Sequence, residues 1–214
     1  MAVTSEIFSR NVTKKINFNY LSYIPKDYSK EKKPPLLIYL HGAGERGEDV
    51  NIVARYGPFK YAQLGDDFPF VMVAPQCPKD KYWGNYTESL DSFLDEIIKK
   101  YNIDERRIYL TGNSMGGTGT WHWLMASPHR FAAAAPVCGT GIYWYAIRIK
   151  SKPVWVFHGD SDTTVPVEES RNMVKRLIDF GGSPIYTEFS GVGHNAWDYA
   201  YNKDLYDWFL EHSL

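Results

Sequence analysis

Apolar residues fall in two rhythms along this chain. Leu36–Leu40, Phe70–Ala74, Ile108–Leu110 and Val154–Phe157 are short unbroken apolar runs, the pattern of parallel strands covered on both faces. Phe131–Val137 is a similar run, and Ile185–Phe189 a weaker last one. Near the start, Ile16, Phe18 and Tyr20 alternate with Lys15, Asn17 and Asn19. A period of two predicts a strand with one wet face, hence an antiparallel edge. Between the runs the period lengthens: Leu90, Phe93, Leu94, Ile97, Ile98 and Tyr101 recur at steps of three and four, with Lys99 and Lys100 at the dipole's negative end. Residues 167–180 read as another helix, with Pro166, Glu168 and Glu169 at its first turn and Gly181-Gly182 as its stop. A final helix buries Trp197, Tyr201, Leu205, Trp208 and Phe209. Strands alternating with helices predict an α/β protein with a mostly parallel, doubly wound sheet and an antiparallel N-terminal edge.

Composition narrows the class. A chain of 214 residues, 44% hydrophobic and 16% aromatic, has enough core for one domain spanning 1–214. Lys and Arg number 24 against 25 acids, without a basic stripe, so neither nucleic acid nor an anionic membrane is expected as a partner. The start carries no secretory leader and no run reaches membrane-spanning length. The default is a cytoplasmic protein, although the mature form of an exported enzyme reads the same. Cys77 and Cys138 follow two different strand-like runs and neither has metal-ligand spacing. No motif calls for a metal or an organic cofactor.

The chemistry begins at Gly112-Asn113-Ser114-Met115-Gly116, a G-x-S-x-G placed between an apolar run and a helix-compatible stretch from Met115 to Met125. Glycines on either side permit a turn tight enough to push the Ser114 hydroxyl out at the strand's carboxyl end. A serine hydroxyl needs a base to take its proton and a third group to orient that base, in chain order Ser, acid, His. Only His194 and His212 lie beyond the acidic loop His158-Gly159-Asp160-Ser161-Asp162. His212 falls in the last turn of the terminal helix, where a cation facing the dipole suffices as explanation. That leaves His194, in a loop between a strand-like run and the last helix. Of the two aspartates, Asp160 suits a turn former, and Asp162 has more reach toward an imidazole. An oxyanion also needs donors, and the amides of Ala43 and Met115 are the expected pair. Gly116, Gly117 and Gly119 each cost roughly 1 kcal/mol against alanine in a helix, an expense that close packing on the strand would offset.

These motifs resemble the alpha/beta-hydrolase superfamily. Leu40-His41-Gly42-Ala43-Gly44-Glu45-Arg46-Gly47, Gly112–Trp121 and His158–Asp162 together resemble small carboxylesterases, a group with feruloyl and acetylxylan esterases, polyhydroxybutyrate depolymerase-like enzymes and predicted peptidases. The resemblance implies an alpha/beta-hydrolase fold and a triad of Ser114, Asp162 and His194, with the Ala43 amide at the oxyanion. It also implies a strand order that sets two strands between those preceding Cys77 and Cys138. At about 4.8 Å per strand the thiols are then roughly 14 Å apart, which predicts that both are free. The expected activity is hydrolysis of short-chain, acetyl or hydroxycinnamoyl esters, on a small molecule or a carbohydrate. Peptidase or thioesterase action by the same triad, and a non-catalytic binding protein on this fold, are the alternatives.

Around the site, Trp83, Tyr86, Tyr143, Trp144 and Tyr145 follow strand ends and are candidate pocket walls, or simply packing. Arg46 beside Glu45 either meets a polar substrate group or braces its loop. His41 and His158 lack a third ligand at matching spacing and read as loop braces, and Trp121 and His122 as helix packing. The segment from Gly139 to Lys152 is too short for a large lid, so an open site is expected.

Overall fold

The computed structural model describes residues 3–214. Seven strands form one sheet: β1 (Tyr20–Tyr23), β2 (Leu36–Leu40), β3 (Val71–Pro75), β4 (Ile108–Asn113), β5 (Ala133–Val137), β6 (Trp155–Gly159) and β7 (Ile185–Phe189). Their order is β1-β3-β2-β4-β5-β6-β7, with β1 antiparallel to β3 and the other neighbours parallel. Every residue of β2, β3, β4 and β5 is buried, as continuous apolar runs require of strands covered on both sides. β7 lies at the edge and is half exposed.

Among the described residues six α-helices flank the sheet: α1 (Gly57–Leu64), α2 (Thr87–Tyr101), α3 (Met115–Ala126), α4 (Glu168–Asp179), α5 (Trp197–Ala200) and α6 (Lys203–Leu210). Strand side chains alternate between two cores. Leu36, Ile38 and Leu40 join Leu90, Leu94 and Ile97 of α2, Trp121 and Leu124 of α3, and Met173 and Leu177 of α4. Leu37 and Tyr39 point the other way, to Phe59 of α1 and to Leu205, Trp208 and Phe209 of α6. This is the doubly wound sheet expected. Among the described residues no helix is long and apolar enough to cross a membrane.

Two boundaries differ from expectation. The N-terminal edge strand is Tyr20–Tyr23 rather than 16–20, because its partner runs out: Tyr20 pairs with Pro75, the last residue of β3. Phe18 nevertheless packs on Phe93 and Tyr86, so the alternation recorded a buried face and not a ladder. The final helix is two helices. Asn202 interrupts it, its side chain accepting from the Leu205 N–H as the cap of α6. α1, which opens with Gly57-Pro58, has no counterpart in the sequence reading.

Strand order reverses around β2, which has β3 on one side and β4 on the other. The carboxyl ends of adjacent parallel strands diverge into crevices at such a switch point. The Leu40 and Gly112 pairing sets the segments after β2 and β4 side by side there.

Candidate active site

Ser114 sits between β4 and α3 with φ 57° and ψ −119°, a backbone state that costs an L-residue strain and that the surrounding turn must impose. The glycines explain how the turn closes. A Cβ at Gly116 would lie 1.8 Å from the Leu40 carbonyl oxygen, and one at Gly117 would lie 2.3 Å from that of Val137. One at Gly119 would meet the Trp83 side chain at 2.6 Å. α3 is therefore pressed directly against the ends of β2 and β5, and the glycines' conformational cost is offset by that approach.

The outward-turned hydroxyl meets residues from two other strand ends. Ser114 Oγ lies 2.8 Å from His194 Nε2, and His194 Nδ1 lies 2.7 Å from Asp162 Oδ2. His194 follows β7 and Asp162 follows β6, so three loops converge on one chain of hydrogen bonds. The carboxylate requires a proton on Nδ1, which leaves Nε2 as the acceptor facing the serine. Asp162 Oδ1 accepts the N–H groups of Thr164 and Val165 at 2.8 and 2.9 Å. Burial alone would raise the Asp162 pKa, but bonds from His194, Val165 and Thr164 outweigh it and hold the carboxyl below the usual range. Asp160 lies apart, accepting from Ser161 Oγ at 2.8 Å and from the Gly191 N–H at 2.7 Å.

The loop after β2 is built as a rigid support. His41 is fully buried; its Nε2 accepts the Cys77 N–H at 2.9 Å, so the proton sits on Nδ1 and meets the Gly42 carbonyl at 2.6 Å. Burial lowers its pKa to about 4, with the Gly42 carbonyl opposing and Arg46 adding to the fall. The Trp83 indole donates to the His41 carbonyl at 3.0 Å. Arg46 gives its guanidinium to the Ala43 and Lys81 carbonyls at 2.9 and 3.3 Å. Both contacts brace the loop. Glu45 is buried beneath it, which raises its pKa. The Ser114 N–H donates to Val137 and the Glu45 N–H to Gly42, but the Ala43 and Met115 amides take no part in such turn bonds among the described residues.

A cavity of about 590 Å³ opens at Ser114, walled by Tyr82, Trp83, Met115, Thr118, His122 and Val165 among others. Of the aromatic candidates only Trp83 lines it. Tyr86 turns away to Phe18, and Trp144 is 74% exposed beneath the Arg176 guanidinium. Tyr143 donates to Glu169 at 2.5 Å, and Tyr145 lines a neighbouring depression. Tyr82 and His122 were missed. Met115, Thr118 and His122 are spaced three and four along α3, so one helical face supplies them, and that spacing was the available signal. Burial lowers the His122 pKa.

Cys138, Asp162 and His194 offer ligand atoms within 4.8 Å of one another. The carboxylate and imidazole are committed to each other, however, and burial pushes the Cys138 thiol well up, so it keeps its proton. Both cysteines are buried and free.

Residues 61–203, two thirds of the chain, match the model of the phospholipase/carboxylesterase family. The chain belongs to that family. Ser114, Asp162 and His194 all fall inside the matched stretch. The member described here is 29% identical over 156 residues to a bifunctional acetylxylan esterase/xylanase of Neocallimastix patriciarum, covering 68% of this chain and 22% of that protein. It is 25% identical over 150 residues to feruloyl esterase B of Neurospora crassa, covering 64% of this chain and 49% of the relative. The chain thus spans half or less of the length of these curated relatives. Among solved structures, a thermostable esterase superimposes with a TM-score of 0.81 at 37% identity, over 91% of this chain and 59% of the other. This family member has the alpha/beta-hydrolase fold.

Proposed function

We propose that the protein is a serine esterase that hydrolyses carboxylic esters through an acyl-enzyme on Ser114. The observation that carries this reading is the continuous Ser114–His194–Asp162 chain of hydrogen bonds, 2.8 and 2.7 Å long, at the mouth of a cavity able to hold an acyl group. Ser114 Oγ attacks the ester carbonyl while His194 Nε2 takes its proton. The carbonyl π electrons move to oxygen, where the Ala43 and Met115 amides receive the charge. The tetrahedral adduct collapses, the bond to the alcohol oxygen breaks, and His194 returns the proton to that oxygen. Water, deprotonated by His194, then repeats the sequence on the acyl-enzyme and frees the acid and the serine. Asp162 holds the imidazole in the tautomer this needs and balances the imidazolium formed at each half-reaction.

The cavity volume and its Tyr82 and Trp83 walls favour a hydroxycinnamoyl or other bulky acyl group, and they also admit acetyl and short-chain acyls. The names of the relatives support a carbohydrate or small-molecule alcohol. A panel of nitrophenyl acetate and butyrate, methyl ferulate, acetylated xylan, acyl-CoA and peptide nitroanilides tests the reading. The expected outcome is turnover of the oxygen esters, lost in a folded Ser114→Ala. Turnover confined to the thioester or anilide, or retained by Ser114→Ala, would overturn it.

A further inference from the structure

Resting on the esterase reading, we propose that His122 selects the acyl group: its imidazole binds the ring hydroxyl of a hydroxycinnamoyl ester whose carbonyl sits at Ser114. The cavity at Ser114 runs along one face of α3, past Thr118, to His122. His194 is not among its walls. The alcohol must leave beside His194, which returns its proton, so a cavity without His194 in its walls receives the acyl half. The length agrees. Steps of four lead from Ser114 to Thr118 to His122, and eight residues at 1.5 Å set the end Cα atoms about 12 Å apart. Helical side chains lean back toward the N-terminus, which leaves the imidazole roughly 9 Å from the nucleophile. An acetyl or butyryl group ends well short of that. A hydroxycinnamoyl skeleton carries its phenolic oxygen about 8 Å from the carbonyl carbon at standard bond lengths, within hydrogen-bonding range of the ring.

What separates recognition from packing is that this half-buried ring is unspent. Among the described residues no hydrogen bond or ion pair reaches either of its nitrogens. Burial lowers its pKa with no partner to oppose it, so at pH 7 the ring is neutral, with one N–H to give and one nitrogen to accept. The neighbouring Trp121 indole N–H is unpartnered because the core encloses it, and neither His122 nitrogen is enclosed in that way. Gly84 makes room for the ring: a Cβ there would lie 2.6 Å from His122 Nδ1. Gly84 and His122 also wall a smaller depression beyond the cavity, so the imidazole stands as a partition between two open spaces. The other polar groups on the cavity wall are spent or wet. Thr118 Oγ1 lies 3.2 Å from Thr140 Oγ1 and accepts the Thr140 N–H at 3.0 Å. Trp83 gives its N–H to the His41 carbonyl, and Tyr82 and Asn85 are exposed at the rim, where water satisfies them. An arene lying along Trp83 and Met115 thus meets one half-buried, unsatisfied partner at its far end, and a ring hydroxyl completes it.

The experiment measures kcat/KM of wild type, His122→Phe and His122→Leu on methyl cinnamate and methyl 4-hydroxycinnamate, with thermal melts of each protein. In wild type the hydroxyl should raise kcat/KM about tenfold, the worth of one hydrogen bond in a partly wetted site. It does so against its own electron donation, which makes the carbonyl less reactive. His122→Phe keeps a ring but neither donates nor accepts, and the ratio of the two substrates should fall to one or below. A wild-type ratio within twofold of one, or a preference that survives in His122→Phe, would overturn the proposal. If His122→Phe does not fold, His122→Leu gives the same reading, and the wild-type ratio decides without either. Absence of turnover on every ester, with no labelling of Ser114 by a fluorophosphonate, would sink the esterase reading. Turnover indifferent to the hydroxyl sinks the role of His122 alone.

Discussion

At the residue scale, the two aspartates two positions apart on one loop are separated by what they bond. Asp162 holds His194, and Asp160 holds Ser161 and the Gly191 amide at the protein surface. Asp162→Asn keeps the shape but offers an amide where a carboxylate fixed the tautomer, and kcat should fall on the order of 10⁴-fold. Asp160→Asn should leave kcat within about threefold. Steady-state kinetics of the two variants test this together, and comparable losses in both would break the assignment. Reach alone favoured Asp162 in the sequence, because a carboxylate needs length to leave its strand end. What escaped the sequence at this scale was contact between loops far apart in the chain. Nothing local signals that His158 faces a carboxylate four residues on, or that Arg46 finds the Lys81 carbonyl. His122 was hidden for another reason: flanked by the buried Trp121 and Trp123, it reads as helix packing, although its face is the one shared with Thr118 and Met115.

At the element scale, the elbow helix is held by absent side chains. A methyl group at Gly116 would meet backbone, the Leu40 carbonyl, which cannot move aside without carrying β2 and the loop to Ala43 with it. Gly116→Ala should therefore destabilise the fold by about 3 kcal/mol or more and depress turnover in what remains folded. Gly44, with nothing within 4 Å of an added Cβ, provides the contrast: Gly44→Ala should change stability by less than about 0.5 kcal/mol. Urea unfolding of both variants would read the difference, and similar midpoints would show that the close approach relaxes at little cost. The glycine spacing was legible because a run of helix-destabilising residues inside a helix demands an offsetting contact. Element ends were less legible. In the period-two alternation of Ile16, Phe18 and Tyr20, the last two follow burial against Phe93 while Ile16 stays exposed, and the ladder stops where β3 ends at Pro75. Likewise the apolar stripe from Trp197 to Phe209 stays on one core across the break at Asn202, so periodicity alone could not reveal it.

At the scale of the whole molecule, strand order was accessible through the resemblance, and with it the separation of Cys77 and Cys138 by β2 and β4. The electrostatic consequence of that order was not, since it depends on how deeply each loop is covered. His41 ties the end of β2 to the end of β3 as a buried neutral imidazole, its pKa lowered from 6.5 to about 4. Between those values the unfolded chain binds more protons than the folded one, so stability rises with pH across the window. The contribution is fully present above the unfolded value, is lost as pH falls toward 4, and amounts to roughly 3 kcal/mol for that shift from 6.5 to about 4. His122, shifted in the same direction, adds to it. Asp162, whose pKa is depressed, holds its contribution until pH drops below the ordinary carboxylate value of 3.8. Glu45 acts oppositely: burial raises its pKa, so it contributes most when protonated and its contribution fades as pH climbs through the folded value. Because one carboxyl opposes two imidazoles, the net slope between pH 4.5 and 6.5 should be positive. Urea midpoints across that range should climb in wild type, and His41→Gln, which cannot titrate, should be less stable at pH 7 and show a shallower rise. A wild-type midpoint flat over the window, or a variant whose slope matches it, would mean that the imidazole between β2 and β3 takes up its proton in place, without loss of the loop that carries Ala43.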